Sequence, residues 1–223
     1  MDKAKPPAAH TEGESNTSRA RAAWRARNDS AASQGLIERD AAVFMHQSLS
    51  SPVLSAIAKA EGIWIEDTAG RRFMDFHGNS VHHIGYGHPK LIAAIKAQLD
   101  ELSFAPRRFT CEPAVELAEK LTSLAPGDLG KVLFTTGGSD AVEVALKVAR
   151  AATGRFKTIS FWDAFHGAGF GASSVGGEHT FRSHIAGPLL PGAEHVAPFA
   201  CYRCPYKHAG PDVCGLACAE MVS

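Results

Sequence analysis

The segment from Lys131 to Ala152 constrains the fold of this chain more than any other stretch. An apolar run ends in two threonines and two glycines, and Ser139 and Asp140 then open a helical pattern. Glycines let a backbone approach an anion closely, and the first N–H groups of a helix point at that anion. The sequence therefore predicts a strand over 131–135, a helix over 139–152 and an anion-binding turn between them.

A second strand is predicted over 156–161, after a helix stop at Gly154. The acidic side chains of Asp140 and Glu143 fall in the first turn of the helix, where they suit its dipole. A strand, a helix and a second strand in this span predict a right-handed βαβ unit. We therefore expect an α/β domain with a mostly parallel sheet.

The region before this unit carries turn and helix-start signals. Alternating apolar residues and a turn at residues 67–70 predict a hairpin from Glu61 to Phe76. Pro89 and Pro113 each open an apolar pattern with helical spacing. The hairpin and the two helices predict an α+β segment ahead of the parallel sheet.

Composition excludes several classes of protein. The 23 basic residues balance the 23 acidic ones, so no net field attracts nucleic acid or an anionic membrane. No apolar run approaches the roughly 20 residues of a membrane helix. Residues 1–34 lack a signal-peptide core and predict a mobile arm, partly helical near Trp24. Five cysteines, an odd number in a chain that is not a small secreted scaffold, favour a reducing compartment, and we expect a cytoplasmic protein.

The glycine turn alone does not identify a ligand. A tight strand-to-helix turn with a serine cap explains it equally well. A nucleotide-binding P-loop needs Lys before the Ser or Thr, and here Ser139 follows glycine directly. The glycines of residues 167–171 lack the dinucleotide-binding spacing.

Longer motifs are more specific. The span Phe134-Thr-Thr-Gly-Gly-Ser-Asp-Ala-Val-Glu-Val-Ala-Leu-Lys-Val-Ala-Arg150 continues through Thr153-Gly154-Arg155 to Phe165-His166-Gly167. With Asp67 to Phe76 and Gly85-Tyr-Gly-His-Pro89 upstream, it resembles the class III aminotransferases, which are pyridoxal-phosphate enzymes of fold type I. The likeness covers most of residues 50–190.

The resemblance implies a role for each matched position. Gly138 and Ser139 would bind the phosphate of pyridoxal 5′-phosphate, and Phe165 would stack on its pyridine ring. Asn79 and His82, in the stretch 79–82, would line the substrate pocket, although a purely structural loop explains them equally well. Residues 35–106 would belong to the small domain, and residues 107–223 to the first part of the large domain.

The resemblance also implies residues that this sequence lacks. Family members need a lysine for the Schiff base and a carboxylate against the pyridine nitrogen. Beyond Phe170 the sequence has one lysine, Lys207, and one aspartate, Asp212, and neither matches the family context. We therefore expect the N-terminal portion of a longer, homodimeric enzyme, with no catalytic residue in this chain and no activity alone.

Two reactions fit the resemblance. One is amino transfer between a small primary amine or amino acid and a keto acid or aldehyde. The other is elimination of ammonia, because Asp75 to His82, Pro106 to Thr110 and Phe181 to Gly192 resemble a subgroup that includes lyases acting on hydroxyaminoalkyl phosphonates. Arg107, Arg108 and Arg182 can meet a phosphonate or carboxylate, or form ordinary ion pairs.

A cysteine cluster leaves a hypothesis of another class. Cys201, Cys204, Cys214 and Cys218 have the spacing of a zinc or iron–sulfur site. We expect reduced structural thiols and no metal. The alternative is an inactive, truncated remnant that binds a metal through this cluster.

Overall fold

The computed structural model describes residues 19–28, 30–45, 53–78, 81–182 and 187–222. The chain divides into two compact units, one within residues 10–117 and the other within residues 118–223. None of the helices in the described ranges combines the length and apolar character needed to cross a membrane.

The first unit begins with two helices, α1 (Arg19–Asn28) and α2 (Ala31–Val43). Ser30 caps α2, because its side chain accepts a hydrogen bond from the backbone N–H of Ser33. Ser33 is 2% exposed, and its hydroxyl lies 2.8 Å from that of Thr68. The predicted helical stretch near Trp24 is observed as α1, and α2 is held by a buried polar contact that the sequence pattern did not reveal. The mobility of residues 1–34 stays a prediction.

Three antiparallel strands follow in the order β1 (Ile57–Glu61), β2 (Trp64–Asp67) and β3 (Arg72–Met74). The register pairs Ile65 with Phe73, which confirms the predicted hairpin. The first strand, β1, was not predicted from the sequence.

The turn of this hairpin is built around a buried carboxylate. Asp67 is 1% exposed and accepts hydrogen bonds from the backbone N–H groups of Ala69 and Arg71 and from Arg71 Nε. Burial alone raises the pKa of Asp67, but the bonds from Arg71 and Ala69 outweigh it and hold the pKa below its usual value. Arg71 also donates to the side chain of Asn28 and so ties the turn to α1.

Two longer helices, α3 (Pro89–Glu101) and α4 (Glu112–Leu124), confirm the predicted helix starts. Neither buries a residue, and their apolar faces remain open: Leu99 is 58% exposed and Leu124 is 70% exposed. Amphipathic spacing explains why these segments are helical. It does not identify what covers their apolar faces.

The second unit contains α5 (Gly138–Thr153), β4 (Thr158–Phe161), α6 (Phe170–Val175), β5 (Ala193–Val196) and the short α7 (Ala217–Glu220). β4 and β5 pair in parallel, with Thr158 opposite Ala193 and Phe161 opposite Val196. The predicted α/β class with a parallel sheet is confirmed, and the observed pair includes β5, which the sequence analysis missed.

The prediction of a strand over 131–135 is wrong, because the structure shows no strand at these residues. Those residues pair with no strand among the described ranges, and Leu133 is 64% exposed. A strand depends on a hydrogen-bonded neighbour, so an apolar run cannot form one without a partner.

The most buried element of the second unit is α6. Its last five residues, Gly171 to Val175, are all buried, and Val196 of β5 is 6% exposed. α6 contacts α5, β4 and β5. This short helix therefore links the long helix to the parallel sheet.

Candidate functional site

The N-terminus of α5 carries the predicted anion site. Gly137 is extended and offers no side chain as a cap, and the first helical hydrogen bond runs from Ala141 N to Gly137 O at 3.0 Å. The N–H groups of residues 138–140 precede that bond, as at any helix start. They lie at the positive end of a helix of 16 residues, where an anion is stabilised.

The backbone at this helix start is uncovered. A Cβ atom built on Gly137 or Gly138 would meet no other residue within 4 Å. The hydroxyl of Thr136 donates to the carboxylate of Asp140, which keeps that acidic side chain in a local contact. The two glycines thus leave room for a ligand to approach the backbone closely.

Ser139 joins this helix start to the loop after Phe165. Its Oγ accepts a hydrogen bond of 3.1 Å from the backbone N–H of Ala168. Gly167 has a φ of 125°, and a Cβ there would lie 2.8 Å from the Cα of Ser139 and closer still to its hydroxyl. Only glycine fits at that crossing, so the structure brings the predicted phosphate residues and the aromatic-His-Gly motif together.

Phe165, the predicted ring-stacking residue, is 55% exposed. Its ring lies against Phe181, with centroids 4.7 Å apart and planes tilted by 46°. His166 reaches Ser160 instead, with Nε2 3.4 Å from Oγ. Phe165 therefore has accessible aromatic surface beside the loop that Ser139 holds.

Arg182 was considered as a residue that could bind a phosphonate or carboxylate, but its guanidinium is bonded within the protein. Its Nη1 donates to the carbonyl oxygens of Ser173, Ser174 and Gly176 at 2.6 to 3.0 Å. Its guanidinium also lies over the ring of Trp162. These contacts commit Arg182 to the C-terminal end of α6.

The predicted substrate residues belong to the first unit. Asn79 lies outside the described residues. His82 lines a cavity of about 320 Å³ with Asp75, His77 and Tyr86 among its neighbours. The rings of His82 and Tyr86 are 4.2 Å apart, which gives this cavity an aromatic wall.

A polar pair that sequence reasoning missed lies in the same cavity. Asp75 accepts a hydrogen bond of 2.6 Å from the hydroxyl of Tyr86 and two more from the backbone N–H groups of His77 and Gly78. The Tyr86 bond, followed by those of Gly78 and His77, lowers the pKa of Asp75 from 3.8 to about 2. The same bond raises the pKa of Tyr86.

The remaining cationic candidates and the cysteines form no comparable arrangement. Arg107 and Arg108 are exposed in a turn closed by a bond from Phe109 N to Pro106 O. The four clustered cysteines line a cavity of about 20 Å³, but no three His, Cys, Asp or Glu side chains of the described residues are placed to hold a metal.

Glu143 lies past the first turn of α5, where the sequence analysis had placed it, and its contact with α6 was not predicted. Its Oε1 accepts a hydrogen bond of 2.9 Å from the N–H of Ala172, near the start of α6. Two sequence signals point to this contact: Glu143 follows Ser139 by one helical turn, and Gly167, Gly169 and Gly171 alternate along the facing loop.

Comparison with known proteins places this geometry in a family. The family described as aminotransferase class-III matches residues 45–221. An (R)-1-hydroxy-2-aminoethylphosphonate ammonia-lyase of Vibrio splendidus is 49% identical over 193 residues, covering 86% of this chain and 40% of the relative. An adenosylmethionine-8-amino-7-oxononanoate aminotransferase of Geobacter sulfurreducens is 37% identical, covering 76% of this chain and 38% of the relative.

Solved structures agree. An amine transaminase from an uncultivated Pseudomonas species, in its PLP-bound form, matches with a TM-score of 0.69 at 32% identity, over 81% of this chain and 44% of that one. A taurine:2-oxoglutarate aminotransferase from Bifidobacterium kashiwanohense, in complex with PLP and glutamate, gives a TM-score of 0.70 at 31% identity, over 78% of this chain and 40% of that one.

The chain spans about two fifths of the length of these curated relatives. The structure corresponds to the part of fold type I that contains the N-terminus of α5 and the loop after Phe165. The match over residues 45–221 and the structural likeness lead to one conclusion. This chain belongs to the class III aminotransferases.

Proposed function

We propose that this chain holds the phosphate and ring of pyridoxal 5′-phosphate within a class III enzyme that processes small amines. The observation that carries the proposal is the uncovered start of α5, where Ser139 is hydrogen-bonded to the loop that follows Phe165. Matching structures from related proteins contain PLP, which supports the assignment.

The residues present fit this cofactor. The N–H groups of Gly138 and Ser139 and the Ser139 hydroxyl would hold the phosphate, because a helix start supplies donors and a favourable dipole. The accessible ring of Phe165 would stack on the pyridine. When bound, the cofactor supplies a ring that withdraws electrons from the substrate carbon.

We propose amino transfer as the reaction, from a small primary amine or amino acid to a keto acid or aldehyde, in a homodimer. His82 and Asn79 would line the substrate side. The cavity at His82 supports part of this assignment, since its aromatic wall and its carboxylate offer both apolar and polar contacts.

Elimination of ammonia from a hydroxyaminoalkyl phosphonate is the second candidate. The 49% identity to an ammonia-lyase, against 37% to an aminotransferase, favours it. A protein extended to the full length of its relatives separates the two reactions. Transfer of the amino group to pyruvate or 2-oxoglutarate supports the first, and ammonia release without a keto acid supports the second.

We propose that no lysine of this chain attaches the cofactor covalently. Lys207 is exposed and has a φ of 61°, and Lys157 pairs with Glu194 at 3.3 Å. Neither lies beside Ser139 in the hydrogen-bond network of the described residues. We infer that the chain alone binds the cofactor without a covalent bond and is inactive.

Borohydride reduction followed by peptide mapping tests this inference. Incubation of the chain with pyridoxal 5′-phosphate is expected to label no single lysine stoichiometrically. In parallel, Ser139→Ala is expected to weaken phosphate-dependent binding about tenfold, the order of one or two hydrogen bonds to an anion. Ser123→Ala, an exposed serine on α4, is the matched control and should bind like the wild type.

Two results would contradict the proposal. Stoichiometric reduction at one lysine would mean that the chain carries its own attachment site. Equal binding by Ser139→Ala and the wild type would remove Ser139 from the phosphate site.

A further inference from the structure

Glu143 lies against the glycine loop that follows Phe165. Its Oε1 is 2.9 Å from the N–H of Ala172, and a Cβ added to Gly169 would lie 2.6 Å from the same oxygen. A Cβ on Gly171 would collide with the other carboxylate oxygen. The carboxylate therefore fits only because the residue before α6 and the second residue of α6 are both glycine.

This contact supplies a cap that α6 lacks. The residue before α6 is Gly169, which has no side chain to accept the free N–H groups of the first turn. Glu143, 29 residues away, provides the acceptor instead, and its negative charge suits a helix start. Arg182 occupies the opposite end, so both ends of α6 are held by charged side chains from other segments.

Glu143 and Ser139 act on the same loop. They are one turn apart on α5, and they accept hydrogen bonds from Ala172 and Ala168 respectively. A hydroxyl has one proton and two lone pairs. Because Ala168 occupies a lone pair of Ser139, the Ser139 proton remains available to another acceptor.

We propose that Glu143 is a positioning residue for the cofactor phosphate. By holding Ala172, it keeps the loop in place so that the Ala168 N–H remains on Ser139 Oγ, and this bond directs the Ser139 hydroxyl proton toward the phosphate. Glu143 itself does not touch the cofactor. The inference rests on the proposed function and deepens it by assigning a role to a residue outside the phosphate contacts.

The probe pair of pyridoxamine 5′-phosphate and pyridoxamine tests the role, with affinities measured by calorimetry on the 223-residue chain. Glu143→Ala is expected to weaken binding of the phosphorylated probe about fivefold to tenfold, the order of one charge-assisted hydrogen bond. Binding of pyridoxamine should not change. Glu116→Ala, an exposed carboxylate on α4, should leave both affinities unchanged.

Dependence on Ser139 distinguishes positioning from general stabilisation of α6. In the Ser139→Ala background, Glu143→Ala is expected to cause no further loss of affinity, because the hydroxyl that it directs is absent. The same loss in both backgrounds, or an equal loss for the two probes, would overturn the positioning role.

Folding is checked by circular dichroism, and Glu143→Gln serves if the alanine variant unfolds. Glutamine keeps an acceptor oxygen without the charge, so we expect a twofold to threefold loss that again requires Ser139. If Glu143→Ala unfolds and Glu143→Gln binds the phosphorylated probe with the wild-type affinity, the inference is overturned. If the wild-type chain binds neither probe, the cofactor proposal itself fails; if it binds and Glu143→Ala binds equally, only the role of Glu143 fails.

Discussion

The turn at Asp67 and the helix α6 are both held by charged side chains, but their partners lie at different distances along the chain. Asp67 accepts bonds from residues two and four positions away. The N–H of Ala172 in α6 bonds to a side chain 29 positions away. A local partner completes one turn, whereas a distant partner joins two segments, so only the second arrangement can couple the loop after Phe165 to the start of α5.

Replacing Asp67 should have the largest effect on stability. Asp67→Ala leaves buried N–H groups and a guanidinium without their acceptor, and we expect a loss of about 3 kcal/mol in the free energy of unfolding. Urea unfolding followed by tryptophan fluorescence measures the loss. Asp128→Ala, an exposed carboxylate, is the control. A loss below about 1 kcal/mol would mean that the turn holds without its carboxylate.

Arg182→Ala should have the next largest effect. It leaves the carbonyl oxygens of Ser173 and Ser174 without this donor, while that of Gly176 keeps His195 Nε2 at 2.9 Å, and we expect a loss of about 2 kcal/mol. Trp162, which lies under the guanidinium, reports the change by fluorescence during urea unfolding. Arg155→Ala, an exposed arginine of the same unit, should be nearly neutral. Equal losses for the two arginine variants would show that α6 does not depend on Arg182.

The smallest expected effect on stability concerns Asp75. Two of its three hydrogen-bond donors, the N–H groups of His77 and Gly78, are two and three positions away. Tyr86→Phe removes the strongest of the bonds that lower its pKa, so the pKa should rise from about 2 toward 3.8. A lowered carboxyl pKa stabilises the fold above the unfolded value, and this stability is lost as the pH falls through about 2. NMR titration of the Asp75 carboxyl carbon measures the shift. His77→Ala should raise the pKa of Asp75 less than Tyr86→Phe does, because the charge of the His77 side chain is the weakest of the effects that lower it.

The separation along the chain between bonded partners also decided which elements could be predicted from the sequence. The hairpin turn and the starts of α3, α4 and α5 depend on neighbouring residues, so local patterns identified them. The predicted phosphate residues Gly138 and Ser139 lie beside the loop after Phe165, as the family motif implied. Their binding role stays a prediction.

Features set by tertiary contacts escaped prediction. Six residues of α6 carry no helical periodicity, and the helix depends on Glu143 and Arg182. β5 is recognisable only beside β4, and the apolar run at 131–135 was taken for a strand because its pattern does not reveal whether a partner is present. Asp75 and Tyr86 meet across a chain reversal that residue spacing does not encode.

The parallel pair β4 and β5 has a consequence for behaviour in solution. Within the described residues each strand has one neighbour, so each presents an unpaired edge of backbone N–H and C=O groups. Open edges promote association between chains, and charged side chains beside them oppose it. Lys157 and Glu194 form an ion pair at the start of these strands and place charges beside the sheet. Neutralising them should lower the concentration at which the chain begins to aggregate.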